Sequence, residues 1–100
     1  MDITPKELKE KMDRGDDFVL IDVREPHEHQ AFNVGGTLIP LQSLPNRLSE
    51  IKAPKDAEVV VYCRSGARSG MAQQYLRQSG FSNVRNLTGG MLAWQDTFKD

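Results

Sequence analysis

The chain has 100 residues, of which 38% are hydrophobic and 27% are charged, and its formal net charge is −1. This length suits one small domain over residues 1–100, and the near-neutral charge argues against nucleic acid or an anionic membrane as a partner. The apolar segments are too short to cross a bilayer, and the opening segment MDITPKELKEK lacks the hydrophobic centre of a signal peptide. We therefore expect a cytoplasmic domain.

The first predicted elements are a helix and a buried strand. In the segment ITPKEL, Thr4 can cap a helix, Pro5 suits its first turn and Glu7 completes a capping box. Gly15 is suited to end this helix. The segment FVLIDV, residues 18–23, is a continuous apolar run, which is typical of a parallel strand that is buried on both faces.

The rest of the chain continues to alternate strands with helices. Apolar spacing predicts strands at 37–41, 58–62 and 82–87 and helices at 44–51, 67–80 and 89–98. Strands separated by about a dozen residues or more need crossover connections, which join parallel neighbours. The pattern therefore predicts an α/β fold with a mainly parallel central sheet and helices on both faces.

The most informative segment is VVVYCRSGARSG, because it places the only cysteine, Cys63, between a predicted strand and a predicted helix. In an open parallel sheet, ligands bind outside the carboxyl ends of the strands, which is where this residue lies. A single cysteine forms neither an internal disulfide nor a cysteine-based zinc site. Cys63 is therefore either a small buried hydrophobic residue or a reactive thiol.

The loop after the cysteine is suited to bind an anion. It consists of Arg64, Ser65, Gly66, Ala67 and Arg68. These residues can turn so that backbone N–H groups, a helix N-terminus and two guanidinium groups point at one small volume. An ordinary thiol of pKa ~8.5 is only about 3% ionised at neutral pH, whereas such surroundings lower cysteine pKa values to roughly 3.5–7.5. A merely buried cysteine would not require this combination of residues.

Together these segments resemble the single-domain rhodanese-like sulfurtransferases. CRSGARS is similar to the active-site loop of the thiosulfate sulfurtransferases, and LIDVREPHE and NLTGGMLAW are similar to two further segments characteristic of the family. The resemblance extends over essentially the whole chain. It implies a single rhodanese-like domain and a two-step reaction, in which the Cys63 thiolate takes the outer sulfur of a small anionic donor such as thiosulfate and holds it as a persulfide.

The resemblance also implies a role for each loop residue. Cys63 would be the nucleophile, and Arg64 and Arg68 would orient the anionic donor. The persulfide would be held by the amides of Ser65, Gly66, Ala67, Arg68 and Ser69, and the two serines could add hydroxyl donors. The acceptor would be a thiol, cyanide or a sulfur-carrier protein, and no cofactor or metal ion is implied.

Charged residues outside the loop have supporting roles in this interpretation. Asp22, Arg24 and Glu28 are expected to form ion pairs that brace the site rather than to react. We interpret His27 and His29 as solvated surface residues, because their spacing on a short helix directs them apart and no third metal ligand is evident.

One segment departs from the family pattern. Many relatives carry Gly-His-Ile-Pro-Gly-Ala where this chain has the shorter AFNVGG.

Three other functions are alternatives to sulfur transfer. A non-catalytic rhodanese-like binding module typically lacks the cysteine, which is present here. A related cysteine phosphatase or arsenate reductase has five residues between cysteine and arginine, whereas four residues separate Cys63 from Arg68. A redox sensor would need a partner thiol.

Overall fold

The computed structural model describes residues 1–99, and its central feature is a four-stranded sheet in the order β2-β1-β3-β4. The strands are β1 (Val19–Asp22), β2 (Thr37–Leu38), β3 (Glu58–Tyr62) and β4 (Asn83–Asn86). All three pairs of neighbouring strands are parallel. The carboxyl ends of the strands therefore lie at the same edge of the sheet.

Five α-helices connect and cover the strands. They are α1 (Pro5–Arg14), α2 (Pro26–Ala31), α3 (Leu44–Arg47), α4 (Ala67–Gln78) and α5 (Gly90–Thr97), and single 3-10 turns occupy Leu41–Ser43 and Leu48–Glu50. Within residues 1–99, every helix is too short or too polar to cross a bilayer. The predicted α/β class is confirmed.

Alternate residues of β3 and its carboxyl end face opposite sides of the sheet, and each side has its own buried cluster. Val59, Val61 and Cys63 belong to the cluster that α4 covers. Val60 and Tyr62 belong to the cluster that α1 and α5 cover. The prediction of helices on both faces is therefore confirmed. Burial of each of these valines contributes roughly 1.5–3 kcal/mol, and the thiol of Cys63 lies on the α4 side.

The capping box predicted at the start of α1 is present. Thr4 Oγ1 accepts a hydrogen bond from the backbone N–H of Glu7 at 3.2 Å, and the Glu7 carboxylate accepts one from the backbone N–H of Thr4 at 2.9 Å. Gly15 ends the helix in the left-handed conformation, as predicted. The local sequence therefore accounts for both ends of this helix.

Two of the predicted elements are wrong in extent. The strand predicted at 37–41 pairs only over Thr37–Leu38 and is followed at Leu41 by a 3-10 turn, although the backbone N–H groups of Ile39 and Leu41 still donate to the carbonyls of Asp22 and Val23. The helix predicted at 44–51 divides into α3 and a 3-10 turn, because the backbone of Arg47 has φ −125° and ψ 16° and leaves the α-helical region. The remaining differences are shifts of one or two residues at element ends.

Candidate active site

Cys63 directly follows β3 at the carboxyl edge of the sheet, and its side chain is buried beneath the start of α4. Its Sγ accepts hydrogen bonds from the backbone N–H of Gly66 at 3.1 Å and from the backbone N–H of Ser69 at 3.4 Å. The Ser69 hydroxyl lies 3.3 Å from the same sulfur. The sulfur therefore lies at the N-terminus of a 12-residue helix, where backbone N–H groups favour negative charge.

These contacts determine the ionisation of the thiol. Burial raises the pKa of Cys63, but hydrogen bonds from the Ser69 hydroxyl and from the amides of Ser69, Gly66 and Ser65 together outweigh it, so the pKa lies below its ordinary value. The thiolate is the nucleophilic form of cysteine. The loop therefore favours the reactive form of this side chain.

Gly66 allows the loop to turn back over the sulfur. Its φ is +108°, a value that residues with a side chain rarely adopt, and it immediately precedes α4. Its carbonyl accepts hydrogen bonds from the backbone N–H of Gly70 and from the side-chain amide of Asn86.

Asn86, at the end of β4, is a site residue that sequence reasoning missed. Its Nδ2 donates to the Gly66 carbonyl at 3.0 Å, and its Oδ1 lies 2.6 Å from the Ser69 hydroxyl. That hydroxyl has one proton, so Asn86 and the sulfur of Cys63 compete for it as acceptors. The available signal was a polar side chain at the carboxyl end of the strand that adjoins β3.

The start of α5 holds the loop from the other side of the sheet. The backbone N–H of Met91 donates to the carbonyl of Cys63 at 2.9 Å, and that of Leu92 donates to the carbonyl of Arg64 at 3.0 Å. Gly90 permits this approach, because a Cβ there would come within 2.5 Å of the Cys63 carbonyl oxygen. The GGMLAW segment therefore fixes the backbone of the reactive residue.

Arg68, in the first turn of α4, forms a two-point ion pair with Glu28 of α2. Its Nη1 and Nη2 lie 2.7 and 2.9 Å from the two carboxylate oxygens. The hydrogen bonds from Arg68 lower the pKa of Glu28 to about 2, despite the opposing effect of burial. The guanidinium group that was expected to orient the donor is thus itself oriented by Glu28.

Asp22, at the end of β1, is fully buried and is the centre of a second polar cluster. Its carboxylate accepts hydrogen bonds from the backbone N–H and the guanidinium group of Arg24, and His29 Nδ1 lies 2.8 Å from Oδ2. The interpretation of His29 as a solvated residue is wrong, because a buried carboxylate needs several donors. His27 is exposed, as expected. Asp22 and Arg24 are thus ion-paired beneath the edge that carries the thiol.

The segment that departs from the family pattern, AFNVGG, is held by Arg24, which follows β1, and by Tyr62 at the end of β3. The carbonyl of Phe32 accepts a hydrogen bond from Arg24 Nη2 at 2.6 Å. The carbonyl of Gly35 accepts one from the Tyr62 hydroxyl at 2.9 Å. These contacts fix the segment beside the site without the family's histidine.

The side chains of the remaining loop residues are exposed, unlike those around the sulfur. Arg64, Ser65 and Ala67 are exposed, and within residues 1–99 their side chains make no hydrogen bond or ion pair. The structure thus brings Cys63 and all the predicted loop residues to one edge. It leaves these three side chains free at the surface, and the roles assigned to them stay predictions.

The chain belongs to the rhodanese-like domain family, whose model matches residues 4–97. It is 43% identical over 94 residues to a sulfurtransferase of Allochromatium vinosum, and the match covers 93% of this chain and 86% of that protein. It is 39% identical to the probable adenylyltransferase/sulfurtransferase MoeZ of Mycobacterium tuberculosis, covering 92% of this chain and 24% of MoeZ. The solved human single-domain sulfurtransferase TSTD1 has a TM-score of 0.85 at 27% identity, with 99% of this chain and 96% of that chain covered.

Proposed function

We propose that this protein is a sulfurtransferase in which Cys63 carries a sulfane sulfur, as a persulfide, from a donor such as thiosulfate to a thiophilic acceptor. The observation that carries the proposal is the position of the sulfur, which accepts hydrogen bonds from the amides of Gly66 and Ser69 at the N-terminus of α4. The sulfurtransferase relatives support the same class of reaction.

In the first half-reaction, the Cys63 thiolate attacks the outer sulfur of thiosulfate. A sulfur–sulfur bond forms to Cys63, the original sulfur–sulfur bond of the donor breaks, and its electron pair leaves with sulfite. The negative charge then resides on the terminal sulfur of the persulfide. Backbone N–H groups that already point at Cys63 are suited to stabilise this charge without reorganisation.

In the second half-reaction, the acceptor attacks the terminal sulfur of the persulfide, and Cys63 leaves as a thiolate. A lowered thiol pKa favours this step also, because thiols of lower pKa are better leaving groups. The proposed acceptors are a thiol, cyanide or a sulfur-carrier protein. The same loop environment thus serves both attack and departure.

The other loop residues have proposed roles in binding the donor. Arg64 is exposed at the mouth of the loop and is suited to attract an anion, whereas Arg68 contributes a positive charge held in place by Glu28. The amides of 65–69 are proposed to hold the persulfide. Asp22 and Arg24 are proposed to support the site without entering the chemistry.

The alternative functions have less support. A non-catalytic binding module would not need a cysteine whose sulfur accepts backbone hydrogen bonds. A phosphatase-type loop uses its arginine to bind phosphate, but four residues separate Cys63 from Arg68, and the Arg68 guanidinium is bonded to Glu28. Sulfur transfer therefore fits this loop better than phosphate hydrolysis does.

The proposal is tested by the intact mass of the reduced and desalted protein before and after addition of thiosulfate. We expect the wild type to gain one sulfur atom and to release an equal amount of sulfite, and the Cys63→Ser variant to do neither. A wild type that gains no sulfur from thiosulfate, 3-mercaptopyruvate or a small persulfide would overturn the proposal.

A further inference from the structure

Helix α2 carries Glu28, which holds Arg68, yet α2 has no buried apolar residue of its own. None of the six residues Pro26–Ala31 is buried, and only Glu28 and His29 are partly covered. A helix of this length is too short to be stable alone in water, so contacts with the rest of the protein must hold it. Its side-chain attachment therefore rests mainly on the polar contacts of these two residues.

His29 attaches α2 to the end of β1 through Asp22. Its Nδ1 lies 2.8 Å from Oδ2 of Asp22, which is fully buried. Burial raises the pKa of Asp22, but hydrogen bonds from Arg24 and His29 outweigh it, so the pKa lies below its ordinary value and the carboxylate is ionised at neutral pH. An ionised carboxylate only accepts hydrogen bonds, so Nδ1 of His29 carries the proton.

Among the donors to Asp22 in the described part of the chain, His29 is the one that lies outside the segment following β1. Arg24 donates from its backbone N–H, Nε and Nη2, but it lies only two positions further along the chain. Its contacts return to the strand end from which it extends, whereas the contact of His29 joins a separate helix to the sheet. Loss of the His29 donor would leave Asp22 paired with Arg24 and would detach the middle of α2 from β1.

Glu28, next to His29, connects the same helix to the Cys63 loop. Its two oxygens accept hydrogen bonds from Nη1 and Nη2 of Arg68 at 2.7 and 2.9 Å. Hydrogen bonds to Glu28 raise the pKa of Arg68, and negative charge on Cys63 raises it further, despite burial. The guanidinium group is thus close enough to the sulfur for its charge to act there. A charged group in a binding site needs neighbouring side chains that hold it in position.

We propose that His29 is a positioning residue for the anion-binding charge of Arg68. Its hydrogen bond to Asp22 fixes α2, and α2 in turn places Glu28 where it holds the Arg68 guanidinium near the sulfur. The proposal rests on the role in donor binding proposed above for Arg68. Loss of the His29 donor should therefore slow the reaction of Cys63 with anionic reagents more than its reaction with neutral ones.

The test compares alkylation of Cys63 by iodoacetate, which is anionic, with alkylation by iodoacetamide, which is neutral. Both rates are followed by intact mass on the reduced protein at low salt, where charge interactions are least screened. Both reagents react with the thiolate, so a change in thiol pKa or in stability affects both rates alike. The ratio of the iodoacetate rate to the iodoacetamide rate therefore reports the positive charge near the sulfur.

Two variants are expected to lower this ratio. Arg68→Ala removes the charge itself and is the reference, with an expected decrease of about 3- to 10-fold. His29→Leu keeps every charge of the Arg68–Glu28 pair but removes the donor to Asp22. Its expected decrease is smaller, about 2- to 5-fold, because the guanidinium group is then present but less firmly held.

Two further substitutions on α2 are matched controls. His29→Asn places a side-chain nitrogen at the position of Nδ1, so it should keep the hydrogen bond to Asp22 and most of the wild-type ratio. His27→Leu removes the same type of side chain from an exposed position of the same helix, and it should leave the ratio unchanged. The rate of sulfur uptake from thiosulfate should decrease in the same order among the variants.

The outcomes distinguish this proposal from the function on which it rests. If Arg68→Ala leaves the ratio unchanged, the roles of Arg68 and of His29 are both wrong. If Arg68→Ala lowers the ratio while His29→Leu keeps or raises it, the positioning role alone is overturned. Equal ratios in His29→Leu and His29→Asn would also overturn it. Because alkylation needs no sulfur donor, a wild type that takes up no sulfur would overturn the sulfurtransferase function, and the ratio would still decide the role of His29.

Discussion

The loop around Cys63 has an inner side and an outer side that are built differently. Its inner residues, Gly66 and Ser69, donate hydrogen bonds to the sulfur, and both are bonded to Asn86 on β4. Its outer residues are exposed, and their side chains have no hydrogen-bond partner within residues 1–99. These outer residues are Arg64, Ser65 and Ala67.

The difference indicates a division of roles along one short loop. The inner side is held from β4, and α5 fixes the backbone of Cys63 and Arg64, so this part of the loop determines the ionisation and position of the thiol. The side chains of the outer residues have no such restraint and are free to contact substrates. Substitutions at the inner side should therefore alter stability or thiol reactivity, and those at the outer side should alter substrate preference.

The largest effect is expected from Gly90→Ala, which would disturb the restraint from α5. Gly90 has φ +60°, and an added Cβ would approach the carbonyl oxygen of Cys63 to 2.5 Å. The left-handed backbone costs an alanine about 1–2 kcal/mol, and overpacking against a fixed backbone adds about 1–3 kcal/mol. The free energy of unfolding, measured by urea denaturation, should fall by the sum of both effects.

Gly15→Ala is the control for the backbone cost alone. Gly15 has a similar φ of +73°, but no atom lies within 4 Å of the added Cβ. The free energy of unfolding of Gly15→Ala should therefore fall by only about 1–2 kcal/mol. Equal losses in the two variants would mean that α5 does not press closely on the loop.

The next largest effect is expected from Arg68→Ala, which removes the charge that Glu28 holds near the sulfur. The kcat/KM for thiosulfate should fall by about 10- to 150-fold, the equivalent of a charge-assisted contact of about 1.5–3 kcal/mol. Arg47→Ala is a matched control, because Arg47 forms a two-point pair with Glu50 at the surface. A similar loss in both variants, or none in Arg68→Ala, would remove Arg68 from the site.

The smallest effects are expected at Ser69 and Asn86, where substitutions should change the alkylation rate of Cys63 in opposite directions. Ser69→Ala should slow alkylation of Cys63 at pH 6 by about 2- to 10-fold, because the thiolate loses a hydroxyl donor. Asn86→Ala should accelerate alkylation by a similar factor, because the hydroxyl is then free to turn to the sulfur.

The double variant tests this explanation. Once Ser69 is alanine, Asn86→Ala should have no further effect on the alkylation rate. If Asn86→Ala slows alkylation in both backgrounds, then Asn86 acts only by holding the carbonyl of Gly66.

The sequence predicted the features of the fold and site that depend on local patterns. The position of Cys63 at the carboxyl end of β3 followed from an apolar run and from the rule that such edges carry sites. The contacts of Asn86 and His29 were not predictable, because they join residues that only strand order and helix placement bring together. The over-long strand at 37–41 shows that an apolar run does not mark where the paired strand ends, since Ile39 and Leu41 still donate to carbonyls of the β1 side beyond Leu38.

Ion pairing around the site was predictable in kind but not in partner. Asp22, Arg24 and Glu28 were expected to form bracing ion pairs, yet the partner of Glu28 is Arg68, which lies 40 positions away in the chain. Their contact depends on the approach of α2 to the start of α4. The sequence therefore suggested Arg68 as a free donor-binding residue, whereas the structure gives it a fixed partner.

The most direct test of the central claim, that the loop ionises Cys63, is the pH dependence of its alkylation by iodoacetamide. The rate is followed by intact mass on the reduced wild-type protein. Because the pKa of Cys63 is lowered, the rate should reach half of its plateau below the ordinary thiol value of ~8.5. A midpoint at or above that value would mean that burial outweighs the hydrogen bonds, and would contradict the claim.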